Sequence, residues 1–376
     1  MSATRALLAV FVLSLLPAVA WAQVPTATLT GTVVDDETGE PLPGASVFIA
    51  TSTRGDVVDT EGRFELRGVP VGAHRLYVSI IGFEPVAVDT LLREPRVYTF
   101  NFRLKPTVLE LEGEVVVEAE RDRRWQRRYE RFKRLFIGET PNAMYTEILN
   151  PEVLDFENNG GEFRAIASGP LIIENRALGY RIQYFLREFG ATPTRTFYDG
   201  EPLYEELEPE DEVEAQRWDE RRRAAFIGSP RHFLLALLAG QVEEQGFLVF
   251  SRPVPAGRMS QTGMAGGSPL AGQERFPMEP QSLIEAGETP QERILGFEGV
   301  VEIVYRGETE DESYLGWSQQ IGRKPRFQTS QMWQERGPTV LDYKGDLLNP
   351  YGVTVSSYWA FERVADDVPK EYRPGR

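Results

Sequence analysis

Two histidines and no cysteine limit the chemistry open to this chain of 376 residues. Without cysteine there is no disulfide, no thiolate nucleophile and no sulfur ligand for a metal. A zinc peptidase needs histidine and carboxylate ligands converging on one ion, yet His74 and His232 fall in segments that read as different domains. His74 shares a face with Leu76 and Val78 and is expected to be a structural residue at a strand end; His232 opens an apolar helix and is expected to be a satisfied structural histidine. Carboxylates remain. Asp and Glu number 57, and two of them suffice for glycoside hydrolysis. Tyr180, Tyr184, Trp317, Trp333, Tyr358 and Trp359 would line a sugar site. No spacing selects an acid and a base, so no catalytic, cofactor-binding or metal-ligating residue is assigned. The expected function is a non-catalytic binding or assembly module; a carbohydrate-active enzyme using two carboxylates is the alternative.

Two charged segments could carry binding. Eight of the 14 residues from Arg121 to Arg134 are basic, a composition suited to peripheral contact with anionic lipid. Trp125, Tyr129, Phe132 and Phe136, however, recur at helical spacing and predict a core-facing stripe. The acidic run Glu201 to Glu214 lacks the alternating ligands and glycine of a calcium loop. It reads instead as the approach to a helix from about Pro209 to Ile227, with Gly228 as its cap, and as a counter-charge to the basic helix. Ser229 and Pro230 then start a second helix, which runs apolar to a stop near Gly246.

A net charge of −16 argues against nucleic acid as a partner. Arg5, the apolar run Ala6 to Leu16, the break at Pro17 and Ala20-Trp21-Ala22 read as a signal peptide over 1–22, with cleavage before Gln23. The run is too short to span a bilayer. The expectation is therefore an exported protein of a Gram-negative periplasm, outer membrane or cell surface, with no transmembrane helix after cleavage and an envelope protein or glycan as partner.

The elements that must hold any site divide into two groups. Over residues 26–106 apolar residues alternate: Leu29 and Val33; Ala45, Val47 and Ile49; Phe64 and Leu66; Leu76, Val78 and Ile80; then Tyr98, Phe100, Phe102 and Leu104. Short strands with turns at Pro43-Gly44, Glu61-Gly62 and Gly82 predict a Greek-key sandwich. The phrases Gly31-Thr-Val-Val-Asp35, Gly39 to Val47, Asp59 to Phe64 and Val78 to Phe83 resemble the carboxypeptidase-regulatory-like, transthyretin-like domain. That resemblance implies a fold and no particular activity.

A linker is expected at 107–120, where Leu109 to Val117 is similar to the segment joining such domains to receptor plugs, although too little chain follows for a plug and a barrel. The remainder, 121–376, is expected to be α+β with a mainly antiparallel sheet. Residues from about 252 to 292 read as a long mobile loop without periodicity. Arg134 to Gly138, Leu178-Gly-Tyr180, Gly228 to Phe233 and Tyr358 to Asp366 are among phrases that resemble a Bacteroidota group of exported proteins carrying the same N-terminal domain. The resemblance implies architecture and compartment, with no substrate.

Overall fold

The computed structural model describes residues 25–107, 118–252, 274–287, 292–349 and 351–375. The expected signal segment, most of the linker and residues 253–273 and 288–291 of the expected loop lie outside the described residues.

Seven strands build the N-terminal unit: β1 (Thr26–Asp35), β2 (Ser46–Ile49), β3 (Gly55–Val57), β4 (Arg63–Pro70), β5 (Gly72–Ser79), β6 (Val86–Leu92) and β7 (Val97–Leu104). They form two sheets, β4-β1-β7 and β3-β2-β5-β6. The two-residue period puts Leu29, Val33, Val47, Ile49, Phe64, Leu66, Leu76 and Val78 into one shared core. β1 pairs antiparallel with β4 and parallel with β7. Gly31 has no side chain to spare there, because a Cβ would collide with the Phe100 carbonyl.

The second unit opens with α1 (Glu118–Phe136), followed by β8 (Thr146–Ile148), β9 (Leu154–Asn159), β10 (Glu162–Ala167), β11 (Leu171–Asn175), β12 (Tyr180–Ala191) and β13 (Thr196–Glu206). These six strands form one antiparallel sheet with β12 at its centre. The aromatic stripe of α1 packs on it as its spacing predicts: Phe132 and Phe136 are fully buried, and Trp125 packs at a tilt against Phe156. Burying each large ring stabilises the fold by roughly 1.5–3 kcal/mol.

α2 (Glu212–Phe226) starts later than Pro209 would suggest. The Asp211 carboxylate accepts from the Glu214 N–H, which makes Asp211 the N-cap. Within α2, Trp218 lies over Gly179, whose φ is +69°, and a Cβ at Gly179 would strike the indole. Gly179→Ala is therefore expected to lower stability by roughly 1–3 kcal/mol, read as a shift in the urea midpoint with unchanged slope.

α3 (Pro230–Ala239) begins at Ser229, whose hydroxyl accepts from the His232 N–H, and ends at Gly240 in the left-handed conformation rather than near Gly246. Gly246 instead turns the chain into β14 (Phe247–Arg252). The expected loop is partly ordered structure. β15 (Phe276–Pro277) and β16 (Ile284–Ala286) flank a short 3₁₀ turn anchored by buried Pro280 and Leu283. Isolated anchors of this kind leave no periodicity to read.

β17 (Glu292–Leu295), β18 (Val300–Thr309), β19 (Phe327–Trp333), β20 (Thr339–Asp342) and β21 (Thr354–Ser357) complete two more antiparallel sheets, β15-β14-β18-β19-β21 and β16-β17-β20. α4 (Glu312–Trp317) links β18 to β19, and α5 (Tyr358–Phe361) follows β21. The second unit is thus α+β with antiparallel sheets. No helix among the described residues is long and apolar enough to cross a membrane.

Candidate ligand cleft and the domain junction

The sandwich is seated on the second unit by its β3-β2-β5-β6 sheet. Phe48 and Tyr77 point away from the sandwich core and pack on Phe185 of β12, with ring centroids at 4.9 and 5.5 Å. Backbone pairing continues across the junction: Thr51 N–H donates to the Pro202 carbonyl and Tyr204 N–H to the Ser52 carbonyl, each at 2.8 Å. Glu201, 5% exposed, accepts from Arg75 of the sandwich at 3.3 Å and pairs with Arg187 of the second unit at 3.1 Å. Part of the acidic run therefore belongs to β13. Within that run, Glu201 answers Arg75 and Arg187, and Glu206 answers Arg222; neither is paired with the basic helix as expected.

His74 lies within β5 rather than at a strand end, and is buried. Its Nε2 is 2.6 Å from the Pro70 carbonyl and its Nδ1 3.1 Å from Lys344 Nζ of the second unit. Nε2–H donating to Pro70 leaves Nδ1 to accept from Lys344. Burial, reinforced by Lys344, pushes the imidazole pKa down to about 3. His232 accepts from the Gly228 N–H at Nδ1 and faces Gln245 through Nε2, and burial lowers its pKa too. Both histidines join elements of the fold. Gly228, at φ +81°, also accepts from Trp359 Nε1, which gives the Gly228 to Phe233 phrase a physical basis.

A cleft of about 880 Å³ opens between the two parts of the second unit. Thr140, Pro141 and Asn142, after α1, form one lip; Arg221, Ala224 and Ala225 of α2 form another. The far wall comes from an irregularity between β18 and β19. Tyr305 pairs with Gln328 and Thr309 with Phe327, so Arg306, Gly307 and Glu308 are extruded from the ladder towards the cleft. α5 and the turn after it supply Tyr358, Phe361, Glu362 and Asp366. Ser357, at φ +63° without being glycine, turns the chain into α5.

The floor of the cleft is unusual in its carboxyl groups. Asp366 accepts from Thr140 Oγ1 at 3.0 Å and Asn142 Nδ2 at 2.9 Å, yet burial outweighs these donors and pushes its pKa up to about 6. Glu308 accepts from Gln328 Nε2 at 3.1 Å and is also raised by burial. The pKa of Glu362 is raised well above its ordinary value, first by burial and then by Asp366, Glu308 and Asp367. The residue is partly buried and lines the cleft.

A carboxyl raised on folding contributes stability that is complete below its ordinary pKa and is lost as pH rises through its folded value. Glu362→Gln should therefore match the parent's thermal midpoint at pH 5 and exceed it at pH 9. A midpoint that tracks the parent at both pH values would show that Glu362 is not held in its acid form.

Of the six aromatic residues that could have lined a sugar site, Tyr358 reaches the cleft. Trp317 packs behind Phe361, and Tyr180, Tyr184, Trp333 and Trp359 are spent in cores. The sequence pattern did not pick out Phe327, which lines the cleft at 49% exposure. Among the described residues no cluster of three His, Asp or Glu side chains is arranged to hold a metal ion.

A family model covers most of the first unit. Residues 29–117 are a CarboxypepD_reg-like domain. This domain covers a minor part of the chain, and its family model says nothing of the cleft. No curated protein matches the chain.

Among solved structures, a type II cohesin–X-dockerin complex from Acetivibrio cellulolyticus is similar at 20% identity and a TM-score of 0.17, over 19% of this chain and 51% of that one. A putative carbohydrate binding protein from Bacteroides uniformis is similar at 14% identity and a TM-score of 0.19, over 43% of this chain and 60% of that one. The 5-hydroxyisourate hydrolase of Klebsiella pneumoniae is similar at 19% identity and a TM-score of 0.18, over 22% of this chain and 92% of that one. The chain thus spans about half to three-fifths of the first two. Similarity at this level carries no functional information.

Proposed function

We propose that this protein is an exported, non-catalytic binding module of a Gram-negative cell envelope, and that its ligand seats in the cleft of the second unit. The observation that supports this reading is Phe327: a large aromatic ring left half in solvent, on the wall of a cavity of about 880 Å³ whose floor is built of carboxyl groups. Apolar walls with a few convergent polar groups are the usual form of a ligand site. The sandwich, held by the Phe48, Tyr77 and Phe185 contact, would act as a fixed mount rather than a swinging arm. Export rests on the 1–22 segment, and kinship with Bacteroidota exported proteins is part of the same proposal.

In-cell cross-linking and affinity capture of the chain from Gln23 tests this function. One envelope component should be recovered with the parent, and at least tenfold less with Phe327→Ala. Equal recovery would place the contact elsewhere.

One observation favours a second reading, in which the cleft hydrolyses glycans. Glu362 and Glu308 both line the cleft and burial raises the pKa of each, and two such carboxyls are the kind of pair in which one donates a proton and the other acts as base or nucleophile. On that reading a panel of envelope glycans should be cleaved and Glu362→Gln should abolish turnover. The binding reading expects no turnover by either form.

A further inference from the structure

Helix α1 carries a basic face that the rest of the protein leaves unanswered. From Arg123 to Arg134 it has seven basic residues and one acid, Glu130, whose carboxylate accepts from Gln126 Nε2 at 2.9 Å rather than from an arginine. Successive helical residues turn by about 100°. Arg123, Arg127, Arg131 and Arg134 therefore share one stripe, opposite the Trp125, Tyr129, Phe132 and Phe136 stripe that packs on the sheet. Arg123, Arg124, Arg127 and Arg134 are exposed. Among the described residues no ion pair reaches Arg127, Lys133 or Arg134. Elsewhere in the second unit arginines do find carboxylates: Arg164–Glu162 and Arg195–Glu335 at 2.6 Å, Arg176–Glu174 and Arg187–Asp199 at 2.7 Å. With 57 acidic residues in the chain, the stripe is not bare for want of partners.

The chemistry of this face selects its occupant. Protein interfaces centre on aromatic and apolar side chains and keep charge to the rim, yet none of the exposed large apolar side chains among the described residues belongs to α1. Anionic lipid needs only positive charge at its surface and donors for its phosphate oxygens, which guanidinium groups bind in pairs. The apolar side of α1 is spent in the core, so the helix would lie on a bilayer rather than sink into it. A chain of net charge −16 is repelled by such a surface at long range. At physiological salt, however, charges farther than about 8 Å are screened, and the face in contact decides.

We propose that the outer face of α1 is a docking surface for a bilayer bearing anionic phospholipid, with Arg127, Lys133 and Arg134 on headgroup phosphates. The contact is peripheral and reversible. None of the three lines the cleft, so it is separate from the ligand site.

Co-sedimentation of the chain from Gln23 with vesicles tests this, one set of phosphatidylcholine and one of phosphatidylcholine and phosphatidylglycerol in equal parts. The parent should bind the mixed vesicles at physiological salt, should leave them in about 1 M salt, and should ignore phosphatidylcholine. The set Arg127→Glu, Lys133→Glu and Arg134→Glu, matched to the parent by thermal midpoint, should bind at least tenfold more weakly. The neutral set Arg127→Gln, Lys133→Gln and Arg134→Gln should weaken binding by a smaller factor, and it carries the test if the reversed set does not fold. Arg93→Glu, Arg217→Glu and Lys324→Glu change the net charge equally at exposed sites elsewhere and should bind like the parent. Equal loss in that control would overturn the proposal, because binding would then follow total charge. Absence of vesicle binding, or equal binding to both vesicle types, would overturn it too. Retention on heparin without vesicle binding would give the face to an acidic polysaccharide and overturn the lipid.

Discussion

Phe185→Ala should split the unfolding of this protein into two transitions. Phe185 is contributed by the second unit, yet it stacks on Phe48 and Tyr77 of the sandwich, which are 0% and 2% exposed. Removing the ring leaves those two facing a void that the strands on either side cannot close, because β12 is held by β11 and β13. Truncation of a buried Phe costs about 3–5 kcal/mol, and here the loss falls on the junction. The remaining junction contacts, the Thr51–Pro202 and Ser52–Tyr204 hydrogen bonds and the Arg75–Glu201–Arg187 bridge, are polar and more readily exchanged for water. Scanning calorimetry should show one transition for the parent and, for the variant, a separate sandwich transition. A single transition at the parent's temperature would mean that the sandwich is not mounted through this contact.

Phe136→Ala should do comparable damage and also impair the cleft. Its ring touches Phe132 at 4.9 Å, Tyr184 at 5.0 Å and Tyr198 at 5.2 Å, joining α1 to the six-stranded sheet. The expected cost is again about 3–5 kcal/mol. The next residue, Ile137, accepts at its carbonyl from the Ala365 N–H at 3.1 Å, and that bond fixes the turn carrying Asp366. Loosening the end of α1 therefore displaces Thr140 and Asn142 on one side and Asp366 on the other. Chemical denaturation should show the loss of stability. Arg127→Glu, on the exposed face of the same helix, should change it by no more than about 0.5 kcal/mol.

Wherever one local period decided the structure, the residues announced it. The sandwich strands bury every second side chain, and α1 buries Trp125, Tyr129, Phe132 and Phe136 at helical spacing, so both were legible before any coordinates. Ser229 and Pro230 likewise marked the start of α3. The cleft was not legible, because its parts come from residues 140–142, 221–225, 306–312, 325–328 and 358–366, and no one of these segments is unusual alone. The extrusion of Arg306 to Glu308 depends on register with β19, which leaves no local mark in the sequence. The start of β13 reads as a strand from Arg195 to Tyr198, but its continuation into the acidic run was hidden for a different reason. Glu201 looks like one acid among many, and only the approach of Arg75 from the sandwich makes it a buried strand residue. The Tyr358 to Asp366 phrase did stand out, and it supplies four of the side chains that line the cleft.

The central claim is that the cleft of the second unit is where this protein binds. Ala224 is exposed on α2 and lines the cleft without contributing to a core, so Ala224→Trp should fill the space and leave the fold intact. The most direct measurement probes an array of envelope glycans and envelope peptides with the parent chain and with Ala224→Trp, matched by thermal midpoint. The account predicts a defined set of bound ligands for the parent that is lost from the variant. An identical set for both, or binding that follows the sandwich alone, would contradict it.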